Sequence, residues 1–174
     1  MPFVARLTLL AALMAVAGPA QAAELPTLLG ASRDWTAYQT NTPDGKVCYA
    51  VSTPTVTQPA RAARDPIYVI VSTWPGRNVK DEMQIVPGYQ YKDGQPALAR
   101  AGDRKAEFFT ENDGKAGTAW ADDPADEAAL VAAMRSGSTM VVTGTSKRGI
   151  KTTDTYSLAG LVQALDRAHS ACTN

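Results

Sequence analysis

Turn chemistry cuts this chain into short pieces. Thr42-Pro43-Asp44-Gly45, Trp74-Pro75-Gly76, Asp93-Gly94, Gly102-Asp103-Arg104, Asn112-Asp113-Gly114 and Lys147-Arg148-Gly149 each combine a residue that fixes or reverses the backbone with a glycine that admits positive φ. Between them lie short segments rich in alternating apolar and polar residues, at a spacing of roughly ten residues. Such a chain has no room for the regular β-then-α alternation of a doubly wound sheet. It is expected to be mainly β, an antiparallel β-sandwich or barrel-like domain with two helices packed at its edge or end.

Residues 34–39 and 47–51 flank the first turn and read as a hairpin. Ile67-Tyr68-Val69-Ile70-Val71 is apolar at successive positions, as an interior strand covered on both faces would be. Residues 83–87, 89–92, 97–101, 106–110 and 118–120 read as further extended pieces. Residues 54–66 read as a proline-punctuated, solvated connection containing Arg61, Arg64 and Asp65. The first helix opens at Asp123-Pro124, with a capping carboxylate, proline at the first helical position, and Asp126 and Glu127 near its positive end. Leu130, Val131 and Met134 are its buried side, and Gly137 stops it. Residues 138–172 read as strand, turn, strand and closing helix. Leu158, Leu161, Val162 and Leu165 form a helical stripe there, with Ser157 as its cap.

Residues 1–22 read as a signal peptide: Arg6, an apolar run over 7–17, the helix-breaking Gly18-Pro19, and the small-x-small Ala20-Gln21-Ala22. Residues 23–33, interrupted by Pro26 and Gly30, read as a flexible lead-in, leaving 34–174 as a single β-rich domain. No further apolar segment approaches spanning length, so no transmembrane segment is expected after cleavage, and the location is periplasmic or secreted. A formal net charge of zero argues against a general nucleic-acid binder. In an exported chain the two cysteines, Cys48 and Cys172, are expected to pair, which the loop-entropy model values at up to about 5 kcal/mol. Two unpaired thiols are the alternative.

Catalytic sets are hard to assemble. There is no glycine-rich phosphate loop, no His or Cys pair at metal spacing and no Gly-x-Ser-x-Gly elbow, and the one histidine, His169, lies near the end of the chain. Neither catalytic residue, cofactor nor metal ligand is therefore assigned. Asp122, Asp123, Asp126 and Glu127 read as helix-capping acids rather than a calcium loop. Two groups are candidates for ligand or partner contact. Lys147 and Arg148 at a hairpin tip, with Lys151 beyond, suit an anionic group such as phosphate or carboxylate. Trp74, Tyr89, Tyr91 and Trp120 flank turns and suit a glycan or protein surface. Solvated turns and ordinary core packing are the alternatives for the two groups.

Taken in order, Asp34-Trp35, Lys46-Val47-Cys48-Tyr49, Arg64 before an apolar strand, Val86-Pro87-Gly88-Tyr89, Ala119-Trp120, residues 144–149 (GTSKRG), residues 154–160 (DTYSLAG) and a terminal Cys172 resemble the invasion-associated locus B family of bacterial exported proteins. The resemblance spans nearly the whole chain after the leader. It implies an envelope protein of Gram-negative bacteria, linked in some members to host-cell entry, without established enzymatic activity. The expected function is a non-enzymatic periplasmic binding or accessory protein whose partner is an envelope or host protein or a glycan. The rivals are an envelope hydrolase or transferase using Ser146, Lys147 and Asp154, and a secreted host-interaction factor.

Overall fold

The computed structural model describes residues 25–60, 63–114 and 116–173; the expected signal peptide lies outside them. Eleven strands and two helices follow one another as β1 Thr27–Ser32, β2 Trp35–Thr42, β3 Gly45–Ser52, β4 Val56–Gln58, β5 Tyr68–Trp74, β6 Val79–Val86, β7 Ala97–Ala101, β8 Arg104–Asp113, β9 Ala116–Ala121, α1 Pro124–Ser136, β10 Thr139–Thr145, β11 Lys151–Ser157 and α2 Leu161–Thr173. The strands form one antiparallel sheet in the order β1-β2-β3-β5-β6-β9-β8-β7-β10-β11-β4. The expected mainly-β antiparallel architecture with two helices is present, and the sheet does not close into a barrel: β1 and β4 are its free edges.

The period of two decides which side chains face the helices. Trp35 and Ala37 on β2, Val69 and Val71 on β5, Ala97 and Ala99 on β7, and Met140 and Val142 on β10 point into one core with Leu130, Met134, Leu161 and Leu165 from the helices. Helix α1 packs chiefly on β8 and β7, and α2 on β3 and β2. The Asp123 side chain accepts hydrogen bonds from the backbone N–H of Ala125 and Asp126 at 2.7 and 3.1 Å, the cap that the Asp-Pro start implies. Cys48 and Cys172 are bridged, with Cα atoms 5.9 Å apart, so the end of α2 is tied to β3 across 124 residues of chain. The Lys46 ammonium donates to the Ala171 carbonyl beside it.

Four expectations need correction. Residues 27–32, read as part of a mobile lead-in, are β1: Leu29 packs on the core, and the glycine taken for an interruption, Gly30, sits where the register with β2 shifts. A glycine in a strand often marks such an irregularity rather than an end. Residues 54–66 are not a plain loop, because Val56–Gln58 pairs with β11. Residues 89–92 form no strand; Tyr91 makes only an isolated bridge to Ser146. Helix α2 starts at Leu161 rather than after a Ser157 cap, since Ser157 is the last residue of β11. Gly160, at φ +93, comes so close to the Ser32 carbonyl that a Cβ would lie 1.8 Å from its oxygen. The chain can therefore turn into α2 against β1 only with glycine there.

Candidate functional site: a cationic cleft at the β10–β11 turn

The site is built on a tightly held turn. The Gly149 N–H donates to the Ser146 carbonyl at 2.7 Å, the Ser146 N–H to the Ile150 carbonyl at 2.9 Å, and the Ile150 N–H to the Ser146 hydroxyl at 3.1 Å. Lys147 and Arg148 thus occupy the two central positions of a turn whose ends are locked. The turn is also fastened sideways: the Lys147 N–H donates to the Gln90 carbonyl at 2.7 Å and the Lys92 N–H to the Thr145 carbonyl at 2.9 Å. Residues 90–92 are therefore an anchor for the hairpin, although they form no strand.

Beneath the turn, β11 turns Thr152, Asp154 and Tyr156 inward on alternate positions. Asp154 would be an uncompensated charge in the core, but Arg64 reaches it from the loop after β4. Its two terminal nitrogens donate to the two carboxylate oxygens at 2.7 and 2.6 Å, and its Nε donates to the Pro87 carbonyl at 2.8 Å. The two side chains are only 5% and 4% exposed, so this is a buried, bidentate pair. Burial alone would lower the Arg64 pKa; hydrogen bonding and charge from Asp154 outweigh it and raise it, so the guanidinium stays charged. The Tyr89 ring lies under that guanidinium at 4.9 Å, and its hydroxyl meets the Thr152 hydroxyl at 2.6 Å. Burial pushes the phenols of Tyr91 and Tyr156 far above their usual range, and both stay neutral.

Two glycines make this packing possible. A Cβ at Gly144 would stand 2.7 Å from the Tyr89 hydroxyl and 2.9 Å from the Tyr91 ring, where the two tyrosines meet edge to face at 5.4 Å. Gly88, at φ +72, receives the Asp65 N–H on its carbonyl at 3.0 Å, and a Cβ there would meet the Asp65 carbonyl oxygen at 2.2 Å.

Together these groups line a cleft of about 350 Å³. Arg64, Tyr89, Ser146, Lys147, Arg148 and Thr152 contribute polar or cationic surface, Ala63 and Ile150 apolar surface, and among the described residues no carboxylate lines it. Lys147 and Arg148 are exposed, and neither meets a carboxylate among the described residues. The Arg64 charge is met by Asp154, so the net positive charge of the cleft comes from Lys147 and Arg148, which face solvent beside its hydroxyls. Its electrostatics favour an anion.

Of the residues singled out in the sequence, Lys147, Arg148, Tyr89 and Ser146 meet at this cleft. Lys151 lines a separate groove with Pro96 and Thr153. Of the aromatic group, Tyr89 and Tyr91 are in contact, and the two tryptophans have other partners. Trp74 stands at the end of β5, its indole N–H donating to the Ser72 hydroxyl at 3.1 Å and its ring facing Arg77 at 5.3 Å. Trp120 stacks on Phe109 at 5.9 Å, and Tyr91 is wholly buried. The Ser146, Lys147, Asp154 set is broken up as well, because both Asp154 oxygens are occupied by Arg64. His169 lies elsewhere, bonded to Asp81 at 2.5 Å near the disulfide. Arg64 and Thr152 went unrecognised in the sequence. Asp154 carried the available signal: it falls in phase with buried neighbours on β11 and so requires a cation.

Sheet, staple and cleft define a class: an open antiparallel sheet curled about two helices, tied by one disulfide and one buried ion pair, with a positively charged cleft at a hairpin tip. Within it, the chain belongs to the invasion associated locus B (IalB) protein family, whose model matches residues 35–169. Among solved structures it is similar in fold to the crystal structure of invasion associated protein B from Bartonella henselae, with TM-score 0.58 and 16% identity, covering 87% of this chain and 100% of that one. No curated protein matches the sequence. Among the described residues no helix is long and apolar enough to cross a membrane, and no group of three or more His, Cys, Asp or Glu side chains is placed to hold a metal ion.

Proposed function

We propose that this protein is an extracytoplasmic binding or accessory module, acting in the bacterial envelope without catalysing a reaction, and that the cleft beside Lys147 and Arg148 is where it meets an anionic envelope component. The observation that carries this reading is the unopposed charge of Lys147 and Arg148: two exposed cations on a hydrogen-bonded turn, in a cleft on whose walls no carboxylate stands among the described residues. The formed disulfide supports an oxidising compartment, which the bacterial periplasm and exterior provide. Both oxygens of Asp154, the carboxylate of the hydrolase reading, are engaged by Arg64, which supports a binding role over that reading.

Retention of the purified mature chain on washed envelope fractions tests this, alongside a Lys147→Glu, Arg148→Glu double variant. Both positions are exposed, so the variant is expected to fold as wild type does. Retention is expected to fall by about tenfold or more, since two reversed charges replace attraction with repulsion at close range. Equal retention of both proteins would remove the cleft from the proposal. Fractionating producing cells and their medium distinguishes a resident envelope protein from a released one.

A further inference from the structure

We infer that the anionic group this cleft receives is a phosphate monoester carried on a sugar or lipid headgroup; this rests on the binding role proposed above and names its ligand class. Arg64 is the first reason. A guanidinium has five N–H donors, and three are used, by the two Asp154 oxygens and the Pro87 carbonyl. Two remain on a side chain that is 5% exposed and lines the cleft. They sit in a rigid frame, clamped by the ion pair and the Tyr89 ring, so a ligand would not have to order the arginine.

The other donors approach from different elements. The Ser146 hydroxyl accepts from the Ile150 N–H and retains its own hydrogen for donation. The Tyr89 and Thr152 hydroxyls share one hydrogen between them, which leaves the second available. Lys147 and Arg148 add charge from the turn. Donors from the loop after β4, the hairpin turn and β11 thus line one cleft from three separate elements. That suits a tetrahedral group with three terminal oxygens and nearly two negative charges better than a planar carboxylate with two oxygens and one. Ile150, 37% exposed, and Ala63 give the cleft an apolar side against which the ester's carbon skeleton can lie.

Titration calorimetry on the mature, disulfide-intact protein, with glucose 1-phosphate, glucuronate and inorganic phosphate as soluble probes, tests the class. Co-sedimentation with phosphatidylcholine vesicles, with and without phosphatidic acid, tests the lipid source. The expected result is binding of glucose 1-phosphate or of phosphatidic acid vesicles at least about tenfold tighter than glucuronate or plain vesicles, respectively, and loss of that preference in the Lys147→Glu, Arg148→Glu variant. Whichever arm responds identifies the source. Arg64→Lys keeps a charge for Asp154 but removes the two spare N–H donors, and is expected to reduce the phosphate preference in a protein whose circular dichroism is unchanged; an Arg64→Lys chain that unfolds leaves the decision to the double variant. Glucuronate binding as tightly as the phosphorylated probes would overturn the phosphate assignment while leaving an anion-binding cleft. Envelope retention that depends on Lys147 and Arg148, with no response to any phosphorylated probe, would do the same. Probe binding unaffected by the double variant would place the site elsewhere.

Discussion

Cys48–Cys172 and Arg64–Asp154 carry out the same task at two places in the sheet by opposite chemistry. The first ties the last turn of α2 to β3, near one end of the strand order. The second ties the loop after β4 to β11, near the other end. The disulfide acts largely by restricting the unfolded chain and places no requirement on the charge around it. The ion pair acts only in the folded state, and it is favourable only while both partners are present and fully hydrogen-bonded. The covalent tie adds no charge of its own, whereas the ionic one brings a guanidinium to the wall of a cleft. The fold is held at both places; a groove lined by His169 and Lys80 lies beside the disulfide too, but the cleft with cations left unpaired among the described residues lies where the tie itself is charged.

Removing one member of the ionic tie gives the largest expected effect. Arg64→Ala leaves Asp154 buried without a counter-ion and should cost about 3–5 kcal/mol, read as a fall in the urea midpoint. Replacing both partners with apolar residues, Arg64→Met with Asp154→Leu, should recover most of that loss. A double variant as unstable as the single one would mean that the pair contributes specific stability beyond avoiding an orphan charge. The covalent tie comes next: Cys48→Ala with Cys172→Ala should cost about 2–5 kcal/mol. Arg64–Asp154 lies near the other end of the strand order, so the two losses should add when both ties are removed. A sum that departs from additivity by more than about 0.5 kcal/mol would show that the two ties are coupled.

The two ties also differ in how far the sequence reveals them. Two cysteines have only one intramolecular partner each, so Cys48–Cys172 can be written from the sequence once export is expected. Arg64 sits among prolines, a setting that reads as solvated, and its partner lies 90 residues on. Nothing local connects them. The short β segments, the Asp123 cap and the buried side of α1 are legible because turn chemistry and periodicity act over a few residues. β1 is not, because edge pairing with β2 and contact with α2 decide it, and local sequence shows only Pro26 and Gly30. The same limit applies to the site. Lys147 and Arg148 are readable as a hairpin tip, but the cleft behind them depends on Tyr89, Thr152 and Arg64 meeting across the sheet. The aromatic candidates show the same limit: Trp74 packs against Arg77, Tyr89 against Tyr91 and Arg64, and Trp120 against Phe109, partners that their composition alone does not reveal.

A third tie, weaker than either, separates charge from pairing. Glu127 on α1 accepts the Met83 N–H of β6 at 2.7 Å, just beyond the stretch where β9 pairs with β6. Unlike Asp154 it makes no ion pair among the described residues. Burial, together with the charges of Glu82 and Asp81, raises its pKa above the ordinary glutamate value, against the opposing pull of the Met83 bond. The folded protein therefore holds the Glu127 proton at pH values where the unfolded chain has released it. Its stability falls as pH rises from the ordinary glutamate pKa to the raised one, and the loss persists above that. Glu127→Gln keeps an oxygen for the Met83 N–H and removes the charge. Melting temperatures of the two proteins should nearly coincide at about pH 4, and the Gln variant should be the more stable at about pH 8. A wild type that is the more stable at the higher pH would mean that the ionised carboxylate strengthens the β6 contact by more than its burial costs. Glu127 would then belong with Arg64–Asp154 as a favourable charged tie.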